Sequence, residues 1–537
     1  MEKNRRSEAI IAIALVTGIA LFLNILASYF FFRVDLTRTG IYTINESTKK
    51  ILAEIKDTVH LKFYVSDDLP PRVLPIKRDV IDILSEYERY GKGNVHLSIL
   101  VPEKDKTIEE DARKAGIEKV NLNVIGKNKE EVQAVYMGIA VYYQDKTETI
   151  PVVMGIKDLE YDLSSAILKV TREKRDKIVF LNKEVKLPDG LDPQTRMQLQ
   201  NQLPQSHSIT KDTLVIAEAL RDQYEIQEIG LKEGDKLPEE TKVLVIHEAD
   251  NLTDWEKYIV DQFVVGGGTL VVLQSGIRFQ QGMMGQERRV NYANLLEAWG
   301  LKLQNNMVLD LYNFPALIPS GNIRYLQPYP FWIKVSEKQI AADLPGYLRE
   351  VGTLAFTFAS SIDIEQKEGI ANTTVAKSSG KSWEQKGFVM AMPDQIPEPK
   401  AEDLKTFNLA VLAKGLFPST YSSDNLPEKA DKESFRAKGT TPGQVLLIGT
   451  PEFILDRNLR MFQTNGTFFV NLVDYLTNSN DLAGIRSRNQ GYVFIDPDVS
   501  DAMKETIRWF GTLFMPIVVV IFGIIRMVIR SRAAGRA

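Results

Sequence analysis

Residues 9–32 read AIIAIALVTGIALFLNILASYFFF, and RVDLTRTGIYTINEST follows directly at 33–48. The first stretch has no charged side chain, and its 24 residues form a helix about 36 Å long at about 1.5 Å per residue. A hydrocarbon core is about 30 Å thick, so we predict a transmembrane helix over 9–32, preceded by a cytoplasmic segment, 1–8. Asn24 within it either bonds to a neighbouring membrane helix or is a tolerated single amide.

A cleaved signal peptide is the alternative for this segment, because MEKNRR supplies a basic start. The apolar run is longer than the roughly 7–15 residues of a typical signal, and aromatic residues and Arg33 stand where a small-residue cleavage site is needed. An uncleaved anchor is therefore favoured.

The other end of the chain repeats the pattern. Residues 509–525 read WFGTLFMPIVVVIFGII and are followed by RMVIRSRAAGRA. We predict a second transmembrane helix over 509–529, preceded by a linker, 491–508, and followed by a basic cytoplasmic tail, 530–537; a buried core helix is the alternative. Basic residues outside both spans place both termini in the cytoplasm of a cell with an inner (plasma) membrane, and the main body on the extracytoplasmic, periplasmic side.

The composition of the chain excludes several classes of function for the predicted extracytoplasmic body. The chain has 537 residues, with 66 Lys and Arg against 70 Asp and Glu, and no cysteine. The near balance of charge gives no polycationic surface, so nucleic acid is not an expected partner. The lack of cysteine excludes disulfides, thiol nucleophiles and cysteine-based metal sites.

The first part of the body, 33–175, alternates strands and helices. Thr43 and Glu46 fit a capping box that starts a short helix above the membrane. Hydrophobic periodicity then predicts strand 59–65, helix 73–91, strand 94–100, helix 108–115, a hairpin of 132–143 with 147–153, and helix 159–170. The order βαβαββα is that of a thioredoxin-like fold. Asp67-Asp68-Leu69-Pro70-Pro71 stands where a redox enzyme of that fold carries thiols, so we predict the scaffold without the chemistry.

The second part, 176–490, begins after the charged linker 171–177. Apolar strands 243–246 and 269–273 flank a helix that starts near Thr253 and ends in three glycines, 266–268, which is a βαβ unit of an α/β domain. The glycines follow the helix instead of preceding it, so they terminate it and do not bind phosphate. Residues 291–310 predict another helix followed by a strand. The hundred residues after 310 contain many prolines and predict less regular structure, with exposed loops at 394–403 and 419–441.

Few residues carry chemistry. Ser378–Ser382 contains GKS, but Val375 occupies the position of the first Walker A glycine, so the match is attributed to chance. The four histidines have no metal-ligand spacing. His247-Glu248 is the best single candidate for a site, because open α/β sheets bind ligands where parallel strands end. A structural histidine is nevertheless the favoured interpretation. No catalytic, cofactor-binding or metal residue is assigned, and ligand-binding residues stay open.

Several separate stretches resemble the GldG family, auxiliary subunits of ABC transporters associated with gliding motility. They are RVDLTRTGIYTINESTKKIL at 33–52, VSDDLPPRVLPIKRDVIDILSEY at 65–87, the helix–GGG–strand segment at 254–273, LLEAWGLKLQNNMVLD at 295–310, AKSSGKSWEQ at 376–385 and GTPEFILDRNLRMFQTNGTFFVNLVDYLTNSNDLAGIRSR at 449–488. The resemblance implies an amidotransferase-like (flavodoxin-like) α/β fold for 176–490. Enzymes with that fold use a cysteine nucleophile, so only the scaffold carries over.

The resemblance further implies a membrane-anchored, non-catalytic partner of a multispanning permease and a separate cytoplasmic ATPase, in contact with membrane lipid. Two other hypotheses remain: a membrane-tethered hydrolase with its site near His247, and a structural scaffold of an envelope complex. The transported substrate and the link to gliding stay open at this point.

Overall fold

The computed structural model describes residues 15, 18, 44–125, 130–156, 158–172, 174–181, 190–192, 194–195, 208–280, 284–320, 323–477, 482, 485 and 501–534. By its contacts the chain forms two compact units, 1–490 and 491–537. Apart from Leu15 and Gly18, the predicted span 9–32 lies outside the described residues, as does Thr43.

The first part of the larger unit is a four-stranded sheet with helices on both faces. Its elements are α1 (Glu46–Ala53), β1 (Val59–Val65), α2 (Leu74–Tyr90), β2 (Val95–Leu100), α3 (Lys106–Lys114), β3 (Val120–Ile125), β4 (Glu130–Val135), β5 (Met137–Tyr143), β6 (Lys146–Ile150) and α4 (Leu159–Thr171). The sheet order is β2-β1-β5-β6; β1 is parallel to β2 and antiparallel to β5. The thioredoxin-like assignment and the boundary near 175 stay predictions.

Alternation along β1 explains the two layers. Leu61 and Phe63 point into the core under α1, α2 and α4, where Leu84 of α2 is also fully buried. Tyr64 points to the opposite face and packs with Ala112 of α3. Because successive side chains of a strand lie on opposite faces, one strand supplies both cores.

Two details of the prediction for this region are wrong. Helix α1 is capped by Asn45, whose side chain accepts a hydrogen bond from the Ser47 amide, so the capping box does not begin at Thr43. The predicted strand 132–143 is two strands that break at Tyr136: β4 pairs with β3, and only β5 pairs with β6. Strand β3, VNLNVI, was not predicted, although its first five residues alternate apolar and polar side chains as a strand does.

The remainder of the larger unit is built on a seven-stranded sheet and several small ones. Its elements are β7 (Lys177–Leu181), α5 (Leu214–Arg221), β8 (Glu225–Ile229), β9 (Thr241–His247), α6 (Asp254–Val265), β10 (Thr269–Leu273), β11 (Ile277–Gln280), β12 (Met284–Glu287), α7 (Ala293–Ala298), β13 (Leu301–Leu303), β14 (Asn306–Asp310), β15 (Asn313–Ser320), β16 (Ile323–Val335), α8 (Gly346–Arg349), β17 (Leu354–Thr357), β18 (Ile362–Ile364), β19 (Ile370–Lys377), β20 (Ser382–Lys386), β21 (Val389–Met390), β22 (Asn408–Gly415), β23 (Gly443–Ile448), α9 (Asp456–Leu459) and α10 (Gln463–Thr477).

The order of the large sheet is β19-β22-β23-β10-β9-β7-β8. Strands β8, β7, β9, β10 and β23 are parallel to one another, and β22 and β19 are antiparallel additions at one edge. Following the chain, β8 is added on one side of β7, and β9 is then added on the other side of β7. The direction in which strands are added therefore reverses between β7 and β9. The amidotransferase-like assignment stays a prediction.

Helices cover both faces of this sheet. Val243 and Val245 face α5 and α10, whereas Leu244 and Ile246 face α6 and α7. A strand buried on both faces is expected to be apolar at every position, as the VLVI of β9 is. The glycine interpretation is confirmed: α6 ends at Val265, and the Gly266 amide donates to the carbonyl of Gln262.

The proline-containing region is more regular than predicted. Strands β15 and β16 form a long hairpin that contains Pro315, Pro319, Pro328 and Pro330. Proline cannot donate to a ladder but is tolerated on edge strands, and β15 has a free edge along the described part of the sheet. The prediction of less regular structure, which was based on the prolines, is therefore wrong for these two strands.

In the smaller unit, residues Asp501–Ala534 form one helix of 34 residues with Pro516 inside it. The predicted span 509–529 lies within this helix. No helix within the described residues has both the length and the apolar character that crossing a membrane requires. Both predicted spans stay predictions.

Candidate functional site

The candidate site lies at the carboxyl end of β9, beside the point where the winding reverses. Ligands of open α/β sheets bind outside the carboxyl ends of the strands at such a switch point. His247 is the last residue of β9, and Glu248 follows it directly. The structure thus places the candidate pair at the position that its sequence context predicts.

His247 serves as a structural contact. Its residue is 5% exposed, and its Nε2 lies 2.8 Å from the carbonyl oxygen of Pro451. A carbonyl can only accept, so Nε2 carries the proton and donates it to this bond. The ring therefore ties the end of β9 to the segment that follows β23.

Glu248 occupies an unusual backbone conformation. Its φ is +55°, in the left-handed region that side chains other than glycine rarely adopt. Its carboxylate is buried, and Oε1 lies 2.8 Å from Nη2 of Arg288. Such conformations persist where the surroundings fix them, and here the buried ion pair is part of what does so.

Arg288 bridges two acids. Its side chain is 2% exposed, and its Nε lies 2.9 Å from Oδ1 of Asp250 while Nη2 contacts Glu248. Both contacts are short ion pairs, so one buried guanidinium neutralises charge on two carboxylates. Arg278 adds a longer contact, 3.7 Å from Nη1 to Oδ2 of Asp250.

We define the charged cluster as Glu248, Asp250, Arg278 and Arg288. Burial has the largest effect on the pKa of one of its carboxyl groups, Asp250. Burial raises the pKa of Asp250, with the two arginines opposing the rise and Glu248 adding to it. Burial also raises the pKa of Tyr292, whose hydroxyl donates to Oε1 of Gln274 at 3.2 Å. Two acids balance two bases, which is the composition of a buried structural network.

Sequence reasoning named Glu248 and missed the other three members of the cluster, Asp250, Arg278 and Arg288. His247-Glu248-Ala249-Asp250 puts two carboxylates after a buried strand, which signals that a cation must lie nearby. The two arginines come from β11 and from the segment after β12, elements that the sequence did not predict. Nothing in the spacing selects Arg288 over other arginines.

The GKS segment is a loop between two strands. It joins β19 to β20, whereas a phosphate-binding loop joins a strand to the N-terminus of a helix. The carboxylate of Asp310 accepts hydrogen bonds from the Ser379 amide at 2.8 Å, the Ser379 hydroxyl at 2.6 Å and the Ser382 hydroxyl at 2.8 Å. A protein carboxylate thus occupies the donors that a phosphate would need.

The remaining sequence candidates do not assemble into a metal site. Among the described residues, no group of three or more His, Asp and Glu side chains is arranged to hold an ion. His60 and His96 stack as register partners of β1 and β2, with ring centroids 5.7 Å apart. Asp67 forms an ion pair with Lys104. His207 lies outside the described residues.

A second candidate is a groove of about 480 Å³ between β2 and α3. Asp111, one of the residues that line the groove, accepts hydrogen bonds from Lys62 at 2.8 Å and from the Tyr64 hydroxyl at 2.6 Å. Partial burial acts to raise the pKa of Asp111, but these hydrogen bonds outweigh it and lower the pKa. The lining mixes lysines, acids and hydroxyls and therefore specifies no single class of ligand.

Two family models match the chain. One, described as an ABC-type uncharacterized transport system, matches residues 175–479, which is more than half of the chain. The other, described only as a domain of unknown function, matches residues 38–142. The candidate site and the GKS segment both lie within the first match, and the groove lies within the second.

Similarity also extends to one bacterial protein of full length. An uncharacterized protein of Borreliella burgdorferi is 23% identical over 546 aligned residues, which cover 99% of this chain and 100% of the relative. The similarity therefore includes both terminal segments as well as the body.

Solved structures are more distant. The N-terminal domain of mmIFT52 is 14% identical with a TM-score of 0.33 and covers 60% of this chain and 100% of that domain. A putative ThuA-like protein from Bacteroides uniformis is 9% identical with a TM-score of 0.28 and covers 56% of this chain and 91% of that protein. A β-galactosidase from Bacillus circulans is 11% identical with a TM-score of 0.26 and covers 75% and 42% of the two chains. TM-scores this low support no functional argument.

Proposed function

Because this chain belongs to the family described as an ABC-type uncharacterized transport system, we propose that it is a non-catalytic, membrane-anchored auxiliary subunit of an ABC transporter. The family match over 175–479 carries the proposal. A transport-associated accessory role is what membership supports. The finer assignment to the GldG family rests on the sequence stretches quoted above, and gliding motility is the process that it suggests.

The proposed arrangement has two legs and an external body. Helices at 9–32 and 509–529 cross the inner membrane, both termini are cytoplasmic, and the body between them binds a ligand or a protein outside. A multispanning permease contacts the legs within the lipid, and a separate cytoplasmic ATPase supplies energy. The support is the uncharged length of the first segment, the basic flanks of both and the continuous 34-residue helix that contains the second.

The geometry of the candidate site supports a non-catalytic role. His247 has its Nε2 on a backbone carbonyl, and Glu248 is buried against Arg288. A hydrolase needs a base that reaches a water or a nucleophile. In the described structure these two side chains instead hold the end of β9 in place, so the hydrolase hypothesis has no observation in its favour.

Purification of the full chain tests the proposal. An affinity-tagged chain expressed from its own locus is extracted in mild detergent, and co-eluting proteins are identified by mass spectrometry. We expect one multispanning permease and one ATPase in constant ratio to the chain. Elution of the chain alone at every detergent concentration tried would contradict the proposal.

A variant without residues 9–32 tests whether this segment helps to bind the permease or only anchors the chain. Replacing residues 9–32 with a cleavable signal keeps the external body and removes one proposed leg. We expect weaker co-elution of the permease, because part of the contact surface lies in the membrane. Unchanged co-elution would show that the first leg is only a tether.

A further inference from the structure

The small sheet β11-β12-β21 is buried on one face. Its middle strand, β12, pairs antiparallel with both neighbours. Val389 and Ala391 are fully buried in one core cluster with Ile277, and Gly285 of β12 is buried as well. Because successive side chains of a strand point to opposite faces, the residues that alternate with these along β12 and β21 face outward.

The outward face carries three methionines. Met284 of β12 is 39% exposed and is the register partner of Met390 of β21. Met392 lies two residues farther along, where the backbone is still extended, and is 41% exposed. The neighbouring outward residues are Gln286 and Phe388, both exposed. Methionine accounts for 13 of the 537 residues, so five positions of average composition are expected to hold none.

The spacing of these residues allows their three sulfur atoms to meet above the sheet. Register partners such as Met284 and Met390 have Cβ atoms about 4.5–5.5 Å apart, and diagonal neighbours are about 7–8 Å apart. Residues two apart along a strand, such as Met390 and Met392, are separated by about 6.8 Å. Three sulfurs bound to one ion at about 2.3 Å, the length of a zinc–sulfur bond, lie about 4 Å from one another. Methionine has three rotatable side-chain bonds, so its sulfur can cover the difference.

The donor atoms select the kind of ion. A thioether is a neutral, soft ligand, and soft sulfur ligands select Cu(I) among the biological metals. The chain has no cysteine, so methionine is its only source of sulfur. The register partners of Met284 are Met390 and Gln280, and neither is a carboxylate, the ligand that Mg²⁺ and Ca²⁺ prefer. The face therefore favours a soft monovalent cation over a hard divalent one.

We propose that Met284, Met390 and Met392 form a binding site for a soft monovalent cation, Cu(I) or Ag(I), through their three thioether sulfurs. The site goes beyond the proposed function, because it requires neither a membrane span nor a permease. Metal ligands must be deprotonated to bind, and a thioether carries no proton to lose. The affinity of this site is therefore independent of pH, whereas a histidine site weakens as its rings are protonated below about pH 6.5.

An apolar docking face for a protein is the competing explanation, and one substitution separates the two. Exchanging methionine for leucine conserves volume and apolar character and removes only the sulfur. Such a variant keeps a docking face and loses a ligand of the metal site.

Titration of the purified full chain with Ag(I), in buffer free of chloride, tests the site by calorimetry. We expect one saturable site per chain, with the same affinity at about pH 5, where histidines are protonated, and at about pH 7.5. M390L and M284L should each weaken binding about tenfold or more, because each removes one of three ligands. M154L is the matched control: Met154 is 45% exposed and follows β6, in the other part of the larger unit, so its loss should leave binding unchanged.

A spectroscopic measurement identifies the ligands independently. The chain is loaded with Cu(I), kept reduced by ascorbate, and its copper X-ray absorption is recorded. We expect only sulfur neighbours around the metal, and fewer of them in M392L. Thermal midpoints of all variants are measured alongside, and we expect them to stay within about 2 °C of the parent chain, since the exchanged side chains are exposed or half-buried and conserve their volume.

Four results would overturn the proposal. Absence of saturable Ag(I) binding would leave the face as a docking surface for protein. Equal weakening in M154L and M390L would make the binding a general property of exposed methionines. Binding at about pH 7.5 that is lost at about pH 5 would assign the ion to histidines. A copper spectrum dominated by nitrogen or oxygen neighbours would exclude the thioethers. None of these outcomes depends on co-elution of a permease, so this inference and the transporter assignment fail separately.

Discussion

At the residue scale, Arg288 is the side chain on which the candidate site depends most. It is almost fully buried between Glu248 and Asp250. Replacing it with methionine leaves two buried carboxylates with one distant cation, which costs about 3–5 kcal/mol of unfolding free energy. Chemical denaturation of the full chain, followed by tryptophan fluorescence, measures the loss.

The matched control is Arg278→Met. This side chain is 25% exposed, and its contact with Asp250 is 3.7 Å long. Partly exposed ion pairs contribute about 1 kcal/mol or less, so the control should lose little stability. Equal losses in the two variants would show that Arg288 is not the centre of the cluster.

The sequence alone predicts where this site lies but not all of the residues that form it. The apolar run of β9 and the helix start at Thr253 are local patterns, so the position of His247 and Glu248 at a strand end was predictable. The ion pair with Arg288 joins residues 40 positions apart in sequence, and such pairings are decided by packing that no short pattern encodes. The left-handed backbone at Glu248 has no sequence signal either, because glycine or asparagine is the usual residue there.

At the element scale, the N-terminus of α6 shows what local pattern does predict. Thr253 Oγ1 accepts from the Glu256 amide, and the Glu256 carboxylate accepts from the Thr253 amide, which forms a capping box at the helix start that the sequence predicts. Thr253→Ala should cost about 1 kcal/mol of stability. Thr440→Ala is the control, because Thr440 is an exposed threonine in a loop and caps no helix, so its loss should be smaller. An equal or larger loss at Thr440 in denaturation midpoints would contradict the capping account.

Helix α4 contacts Asp222 at the end of α5, and beside this contact α4 carries Asp162, whose raised pKa makes the stability depend on pH. Lys169 and Tyr161 of α4 both donate to the Asp222 carboxylate, at 2.8 and 3.2 Å. Partial burial, with the Asp158 and Asp222 carboxylates adding and Lys169 opposing, raises the pKa of Asp162 from 3.8 to about 6. The folded chain thus holds this proton more tightly than the unfolded chain. That contribution to stability is present below about pH 3.8 and is lost as the pH rises through about 6.

Asp162→Asn therefore should stabilise the chain at about pH 8, by about 1 kcal/mol after solvent screening of this partly exposed side chain, and have almost no effect at about pH 4. Urea midpoints at the two pH values measure the difference. Asp145→Asn, in an exposed turn, is the control and should change neither midpoint. A stabilisation that is the same at both pH values would contradict the assigned cause.

Two strand regions were predicted poorly from the sequence, and in both the pairing partners explain the difference. The proline-containing segment 313–335 still forms a hairpin, and its prolines lie outside residues 332–335, where β16 pairs with β17. The break at Tyr136 likewise depends on two different partners, β3 for one half and β6 for the other. Periodicity identifies that a strand exists, but the partner decides where it ends.

At the scale of the whole molecule, the proposed arrangement predicts the side of the membrane on which each part lies. Ser423→Cys, in the external body, should react with a membrane-impermeant maleimide added to intact cells, after the outer envelope is made permeable. Ala533→Cys, in the basic tail, should react only after the inner membrane is opened. Because the chain has no other cysteine, each signal has one source. Labelling of both positions from outside would contradict cytoplasmic termini.

The central claim is that this chain serves a transporter whose energy comes from a separate ATPase, and ATP hydrolysis by purified samples tests it most directly. The co-purified assembly should hydrolyse ATP, the chain alone should not, and Lys381→Ala should leave the rate of the assembly unchanged, since Asp310 holds the donors of the GKS loop. Hydrolysis by the chain alone that is lost in Lys381→Ala would contradict the account.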